Sequence, residues 1–175
     1  MVLRQATESD YAEIIDLANL AYRGREGTKP SWNVEQGIVG GQRLNDSLLR
    51  EELAAKPNGA LLVYRDNPQG PLLGTAWLNP EDDSAWSLGL VTIRPELQNQ
   101  QLGRRLLAAV EDYARQRGAK RIVIGVLHVR DTLIAWYERR GYRRTGETEP
   151  YPTDDPRFGT PLRENLQFLI MDKQL

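Results

Sequence analysis

Leu90-Val91-Thr92-Ile93-Arg94-Pro95-Glu96-Leu97-Gln98-Asn99-Gln100-Gln101-Leu102-Gly103-Arg104-Arg105-Leu106-Leu107 is the stretch that decides how this chain is read. An apolar, β-branched run reaches a proline-marked turn, and an amphipathic helix starts straight after it. A helix start leaves backbone N–H groups unpaired and carries the positive end of the dipole, so a tight loop there can cradle a pyrophosphate. Gly103 has no Cβ to hold phosphate oxygens away from the backbone. Arg104 and Arg105 can add charge-assisted bonds at the rim. No Gly-Lys-Ser/Thr is present, so a Walker loop is excluded. Taken alone, the stretch reads more readily as a plain helix start.

Upstream, Ser84 to Ile93 reads as a strand. Ala60 to Arg65 and Leu72 to Leu78 flank the turn cluster Asp66-Asn67-Pro68-Gln69-Gly70, which predicts an antiparallel hairpin. At the start of the chain, Val2 to Ala6 is a short strand and Thr7-x-x-Asp10 a helix cap. Tyr11, Ile14, Ile15, Ala18 and Tyr22 then form one helical face ending near Gly24. Residues 24–45 are glycine-rich and of mixed charge, a loop around short helical pieces of the kind that carries recognition. Asp46 to Ala55 predicts a second helix, closed by Pro57-Asn58-Gly59. Downstream, Leu102, Leu106, Leu107, Val110, Tyr113 and Ala114 share a helix face that Gly118 caps. Arg121 to Leu127 is a buried strand, and Asp131 caps a helix carrying Leu133, Ile134 and Tyr137 that ends at Gly141. Tyr142 to Thr145 and Leu166 to Met171 are the last strands, with Pro150, Pro152, Pro156 and Pro161 between them. The order β-α-α-β-β-β-α-β-α-β-β, without repeat or linker, predicts one mixed α/β (α+β) domain over residues 1–175.

The bulk numbers narrow the function. The 175 residues are 40% apolar and 27% charged, as in an ordinary globular domain. A formal net charge of −1 gives no field to hold a nucleic acid. With no cysteine and one histidine, disulfides, thiolate catalysis and multi-histidine metal sites are excluded. No metal is expected. No run approaches the roughly 18–20 apolar residues of a membrane span, and the first residues lack a signal core, so a cytoplasmic protein is expected.

At two places the chain resembles the GNAT (GCN5-related) acetyltransferase superfamily. Ile93-Arg94-Pro95 stands where that family's strand ends in Val-x-Pro. Gln98-Asn99-Gln100-Gln101-Leu102-Gly103 stands for its loop Gln/Arg-x-x-Gly-x-Gly/Ala, with Gln101 in the place of the first glycine. About 35 residues on, Tyr137-Glu138-Arg139-Arg140-Gly141-Tyr142 is similar to the family's Tyr-Glu-x-x-Gly-Phe/Tyr, and Arg130 stands where many members have Asn. The resemblance implies the GNAT fold, a mostly antiparallel mixed sheet of six to seven strands flanked by about four helices. It also implies an acetyl-CoA-dependent N-acetyltransferase.

By the same resemblance, the strand before the loop splays from its neighbour, and Val91, Thr92 and Ile93 lie along the pantetheine of acetyl-CoA. A backbone N–H there would stabilise charge on the thioester oxygen. Gln98, Asn99, Gln100, Gln101, Leu102, Gly103 and Arg104 would hold the pyrophosphate, and Arg130 would border the cofactor. Tyr137 matches the tyrosine that serves as general acid; the competing reading is a core tyrosine on the face of Leu133 and Ile134. His128, which follows the fifth strand where the family's acceptor cleft begins, is a candidate base by its ordinary pKa. Glu35, Asp82, Asp83 and Glu149 are others, and proton loss through water, without a dedicated base, is the alternative. On the acceptor side, Trp32 and Tyr151 would wall an apolar slot, with the loop to Arg157 and Phe158 beside them. There Glu35 would hold a cationic amine, or Arg43 a carboxylate. The Arg139-Arg140 and Arg143-Arg144 pairs read as a solvated face. The acceptor is expected to be a primary amine on a small molecule, in a monomer or homodimer. A peptide or protein N-acetyltransferase and a non-catalytic acyl-CoA-binding module are the alternatives.

Overall fold

The computed structural model describes the backbone of residues 1–175 and every side chain except that of Phe158, so the reading of Phe158 as a loop residue at the acceptor lies outside the described side chains. The elements in order are β1 (Val2–Gln5), α1 (Tyr11–Arg23), β2 (Val39–Gly40), α2 (Asp46–Ala55), β3 (Ala60–Arg65), β4 (Leu72–Pro80), β5 (Ala85–Ile93), α3 (Leu102–Arg115), β6 (Arg121–Leu127), α4 (Asp131–Glu138), β7 (Arg143–Pro150), β8 (Thr160–Pro161) and β9 (Gln167–Gln174). This is the expected order with two additions. The two-residue strands β2 and β8 pair with each other and pin the glycine-rich segment to the proline-rich one.

The main sheet has seven strands in the order β1-β3-β4-β5-β6-β9-β7. Both of its faces are covered. Ile14, Leu17, Leu48 and Leu49 of α1 and α2 pack on Leu61, Val63 and Trp77. Leu106, Leu107, Val110 and Ile134 of α3 and α4 pack on Leu62, Ala76, Leu78 and Ile122. This is why β3 reads as a continuous apolar run rather than an alternating one. The capping signal of Thr7 is real: its N–H donates to Asp10 Oδ2 at 2.8 Å, closing a single 3-10 turn ahead of α1.

The feature that makes the site is the β5–β6 seam, a parallel pairing in an otherwise antiparallel sheet. It is hydrogen-bonded only between Ala85–Ser87 and Arg121–Val123, and beyond that the strands part. A bulge accompanies the parting. Thr75 pairs with Thr92 but Trp77 with Gly89, so Leu90 and Val91 together oppose Ala76. Leu90 takes a φ of 53°, a left-handed conformation rare for a leucine. The bulge bends β5 away from β6, and Thr92 Oγ1 donates to the Leu90 carbonyl at 2.9 Å.

Candidate active site

The cleft left by the splayed strands has three parts. The first lies where β5 runs through a turn at Pro95–Leu97 into α3. Asn99 and Gln101 there have φ of 68° and 60°. Asparagine tolerates that region, whereas glutamine has no local bond to offset it, and Gln101 caps α3 without a side-chain hydrogen bond. Leu102 and Gly103, at the start of α3 where backbone N–H groups lack helical partners, border a hollow of about 380 Å³, with Arg104 and Arg140 also on its wall. Sequence reading set Arg140 aside as a solvated residue. Its guanidinium lies 3.6 Å from the Trp136 ring centroid, Nη1 donates to the Trp136 carbonyl at 2.7 Å, and Nε is buried with no partner. Burial, with Arg139 and Arg104 nearby, lowers its pKa. An arginine short of acceptors beside the N-terminal end of a helix suits an anion.

The second part is a constriction. Gln98 borders the hollow, but its amide is already engaged by the protein. Its Oε1 accepts from Trp32 N–H at 2.9 Å, and its Nε2 donates to the Pro95 carbonyl at 2.9 Å. Trp32, expected on the acceptor wall, instead lies over the loop. A Cβ added to Gly103 would sit 3.3 Å from the Trp32 ring and 3.5 Å from Trp136. The two indoles meet edge-on with centroids 4.8 Å apart. Next along the chain, Asn33 Nδ2 donates to the Val91 carbonyl at 2.7 Å, on the edge of β5 that β6 has left. Arg130 is buried beneath and donates to the carbonyls of Trp32 at 2.5 Å and Asn33 at 3.2 Å. The space left between these groups is about 10 Å³.

The third part is a chamber of about 210 Å³ bordered by Tyr22, Arg43, Glu52, Leu90, Tyr137 and Tyr151. Tyr137 lines both constriction and chamber, and burial raises its pKa far above the ordinary phenol value, so it stays protonated. Its ring also packs edge-on against Trp136 and Tyr142, so the packing role read from the sequence and a place in the cleft coexist. Glu35 borders the chamber but is ion-paired with Arg23. Arg43 lies 5.1 Å from the Tyr22 ring centroid and makes no salt bridge among the described residues.

Glu52, which sequence reading missed, is half-buried on α2 and makes no salt bridge among the described residues. Burial raises its pKa despite Arg43 and Lys56. The signal for it was present: Glu52 lies four residues after buried Leu48 and three after Leu49, a charge on the apolar side of a helix.

The other sequence candidates lie elsewhere. His128 is a correction: its ring meets the backbone of Gln167 at the β6–β9 junction, with Nδ1 3.2 Å from the Gln167 carbonyl, and it borders none of the three spaces. Asp82 accepts from the N–H groups of Ser84 and Ala85 in a turn. Asp83 and Glu149 are exposed, the latter on the edge strand β7. Among the described residues no group of three or more His, Cys, Asp or Glu is placed to hold a metal, and no helix is long and apolar enough to cross a membrane.

A strand that splays after a bulge, beside a glycine-bearing helix start and a buried tyrosine, defines the class. The acetyltransferase (GNAT) family model matches residues 11–142, and the chain belongs to that family. Mycothiol acetyltransferase of Rhodococcus jostii (strain RHA1) is 25% identical over 158 residues, covering 81% of this chain and 51% of that protein, so the chain spans about half the length of this curated relative. The structure of ribosomal-protein-alanine N-acetyltransferase from Brucella melitensis superposes with a TM-score of 0.69 at 19% identity, over 100% of both chains. That of a putative acetyltransferase from Salmonella typhimurium with its cofactor acetyl-CoA has a TM-score of 0.66 at 22% identity, over 100% of this chain and 94% of the other.

Measured against acetyl-CoA, the two ends of the cleft differ from its middle. The start of α3 and the unpartnered Arg140 Nε suit the pyrophosphate. The chamber suits an acyl group and an acceptor. The middle does not admit a pantetheine arm while Trp32 and Asn33 stand where they do.

Proposed function

We propose that the chain transfers an acetyl group from acetyl-CoA to the primary amine of a small acceptor that carries its own carboxylate. The observation that carries this reading is the pairing state of the chamber. Glu52 and Arg43 both border it, of opposite charge, and neither makes a salt bridge among the described residues. A zwitterionic acceptor would satisfy both, its carboxylate on the planar fork of Arg43 and its ammonium against Glu52. Acetyl-CoA supplies the activated acetyl thioester.

Glu52, its pKa raised by burial, takes the proton that makes the amine a nucleophile. As the C–N bond forms and the C–S bond breaks, Tyr137, kept protonated by burial, gives its proton to the departing sulfur and regains one from the second proton that the acylated nitrogen loses. The Arg23–Glu35 pair holds the chamber's rim and leaves the proton transfers to Glu52.

The test is a steady-state comparison of amino acids with their amides as acceptors. Arg43→Gln should raise KM about tenfold or more for the acids and leave the amides unchanged, one lost charge-assisted bond being worth about 1.5–3 kcal/mol. Glu52→Gln should lower kcat by about 10²–10⁴ and remove the acid limb of the pH profile. Equal use of acids and amides by the wild type would sink the carboxylate, and an unchanged acid limb would sink Glu52 as base.

A further inference from the structure

We propose that the segment Pro30–Asn33 is a gate across the cofactor channel, held shut by Arg130 and Gln98 and displaced when acetyl-CoA enters. The inference rests on the acetyl-CoA reading and concerns how that co-substrate reaches the chamber. The loop hollow and the chamber lie on one line along the free edge of β5. Ile93 and Gly103 border the hollow, Val91 and Leu90 the chamber, and Val91, Ile93 and Gly103 the constriction between. A chain-like ligand reaching from one to the other must pass the constriction, where there is room for about one water.

What fills the path imitates a ligand. Asn33 presents a carboxamide N–H to the Val91 carbonyl, the bond an amide of an extended arm would make to a strand edge. Trp32 covers Gly103, the residue without a side chain at the point of closest approach. The segment is held by bonds that can be exchanged one for one: Trp32 N–H to the Gln98 side chain, and two backbone carbonyls to Arg130.

Arg130 makes the closed state easy to leave. It is buried, its pKa is lowered by that burial against the opposing charge of Glu35, and its hydrogen bonds go to neutral carbonyls, so the closed state holds a guanidinium with no carboxylate bonded to it. Neutral carbonyls hold a guanidinium less firmly than a carboxylate would, so the segment can be displaced at modest cost. The segment can swing, because Gly27 and Gly37 bracket it at φ of 76° and 71° with nothing within 4 Å of where a Cβ would be.

The experiment uses CoA as probe, by calorimetry and by hydrogen–deuterium exchange, on wild type, Trp32→Ala and Asn33→Ala, each checked for an intact thermal transition. A binding-competent state populated at about a tenth raises the apparent Kd about tenfold, so Trp32→Ala should bind CoA about tenfold more tightly, and Asn33→Ala more tightly by a smaller factor. In the wild type, saturating CoA should speed exchange at the amides of residues 31–34, the reverse of ordinary ligand protection. Weaker binding by Trp32→Ala, or slower exchange at 31–34, overturns the gate and makes Trp32 part of the binding wall. Failure of all three folded proteins to bind CoA overturns the acetyl-CoA reading, and the gate with it.

Discussion

Arg65 and Arg130 are buried to the same 8% exposure, at opposite ends of the layer that α1 lays on the sheet, and their surroundings differ in kind. Arg65 donates to Asp10 Oδ1 at 2.8 Å, to Glu13 Oε2 at 2.6 Å and to the Gly70 carbonyl at 2.7 Å. Burial alone would lower its pKa, but Glu13 and Asp10 outweigh that and raise it. Arg130 donates only to the carbonyls of Trp32 and Asn33, and burial prevails over the opposing charge of Glu35, which is near but not bonded to it. A charge matched by fixed carboxylates ties α1 to β3 permanently, whereas a charge matched by a displaceable segment leaves two states close in energy. The same contrast separates Glu35, paired with Arg23, from Glu52, which makes no salt bridge among the described residues.

The largest effect should come from breaking the matched side. Arg65→Met leaves two carboxylates short of a partner and should cost about 3–5 kcal/mol, lowering Tm by roughly 6–20 °C at 2–4 °C per kcal/mol. Its CoA affinity, measured below the transition, should be that of the wild type. Arg130→Met removes a buried guanidinium that has no carboxylate on it and should change stability by only about 1 kcal/mol in either direction. Equal losses for the two variants would erase the distinction between them.

A smaller effect separates the two regions by pH. Asp10 accepts from Arg4 Nη1 at 2.7 Å, and this bond, with those from Thr7 and Arg65, holds its carboxyl well below the usual range against the opposing effect of burial. A carboxylate whose pKa is depressed on folding contributes stability that is fully present above its unfolded value, about 3.9, and is lost as pH falls towards the folded value. Thermal unfolding between pH 6 and pH 3 should therefore show Tm of the wild type falling below about pH 4. Asp10→Asn should start lower and fall less over the same interval. Parallel curves would remove Asp10 from the account.

How far the sequence carried this contrast depended on the range of the contacts. The elements were legible from local pattern: turn clusters set the β3–β4 hairpin, and glycine stops follow α1 and α3. The two-residue ribbon of β2 and β8 was not, because two residues hold no periodicity. In the cleft, Tyr137 was found through its neighbours in sequence. Trp32 was placed on the wrong side, because its partners Gln98, Gly103 and Trp136 lie 66 or more residues away. His128 was proposed from its place after a strand end and its pKa class, and neither says where the side chain points: its ring turns to the backbone of Gln167. Arg140 was hidden in a run of arginines whose faces only the turn after α4 distinguishes.

Gln101 gives the finest test of the loop against the rest of the cleft. Its φ of 60° is a conformation that a non-glycine residue adopts at a cost of about 1–2 kcal/mol, and its side chain makes no capping bond to offset it. Gln101→Gly removes that cost but gives the unfolded chain more freedom, worth about 0.4–1 kcal/mol. The net gain should be about 0.5–1 kcal/mol, read as a Tm rise of roughly 1–4 °C. CoA affinity should barely move, because Leu102 and Gly103 already border the hollow and the obstacle lies further in, at Trp32 and Asn33. A large gain in affinity from Gln101→Gly would place the energetic bottleneck in the loop, and the constriction would lose its part in limiting entry.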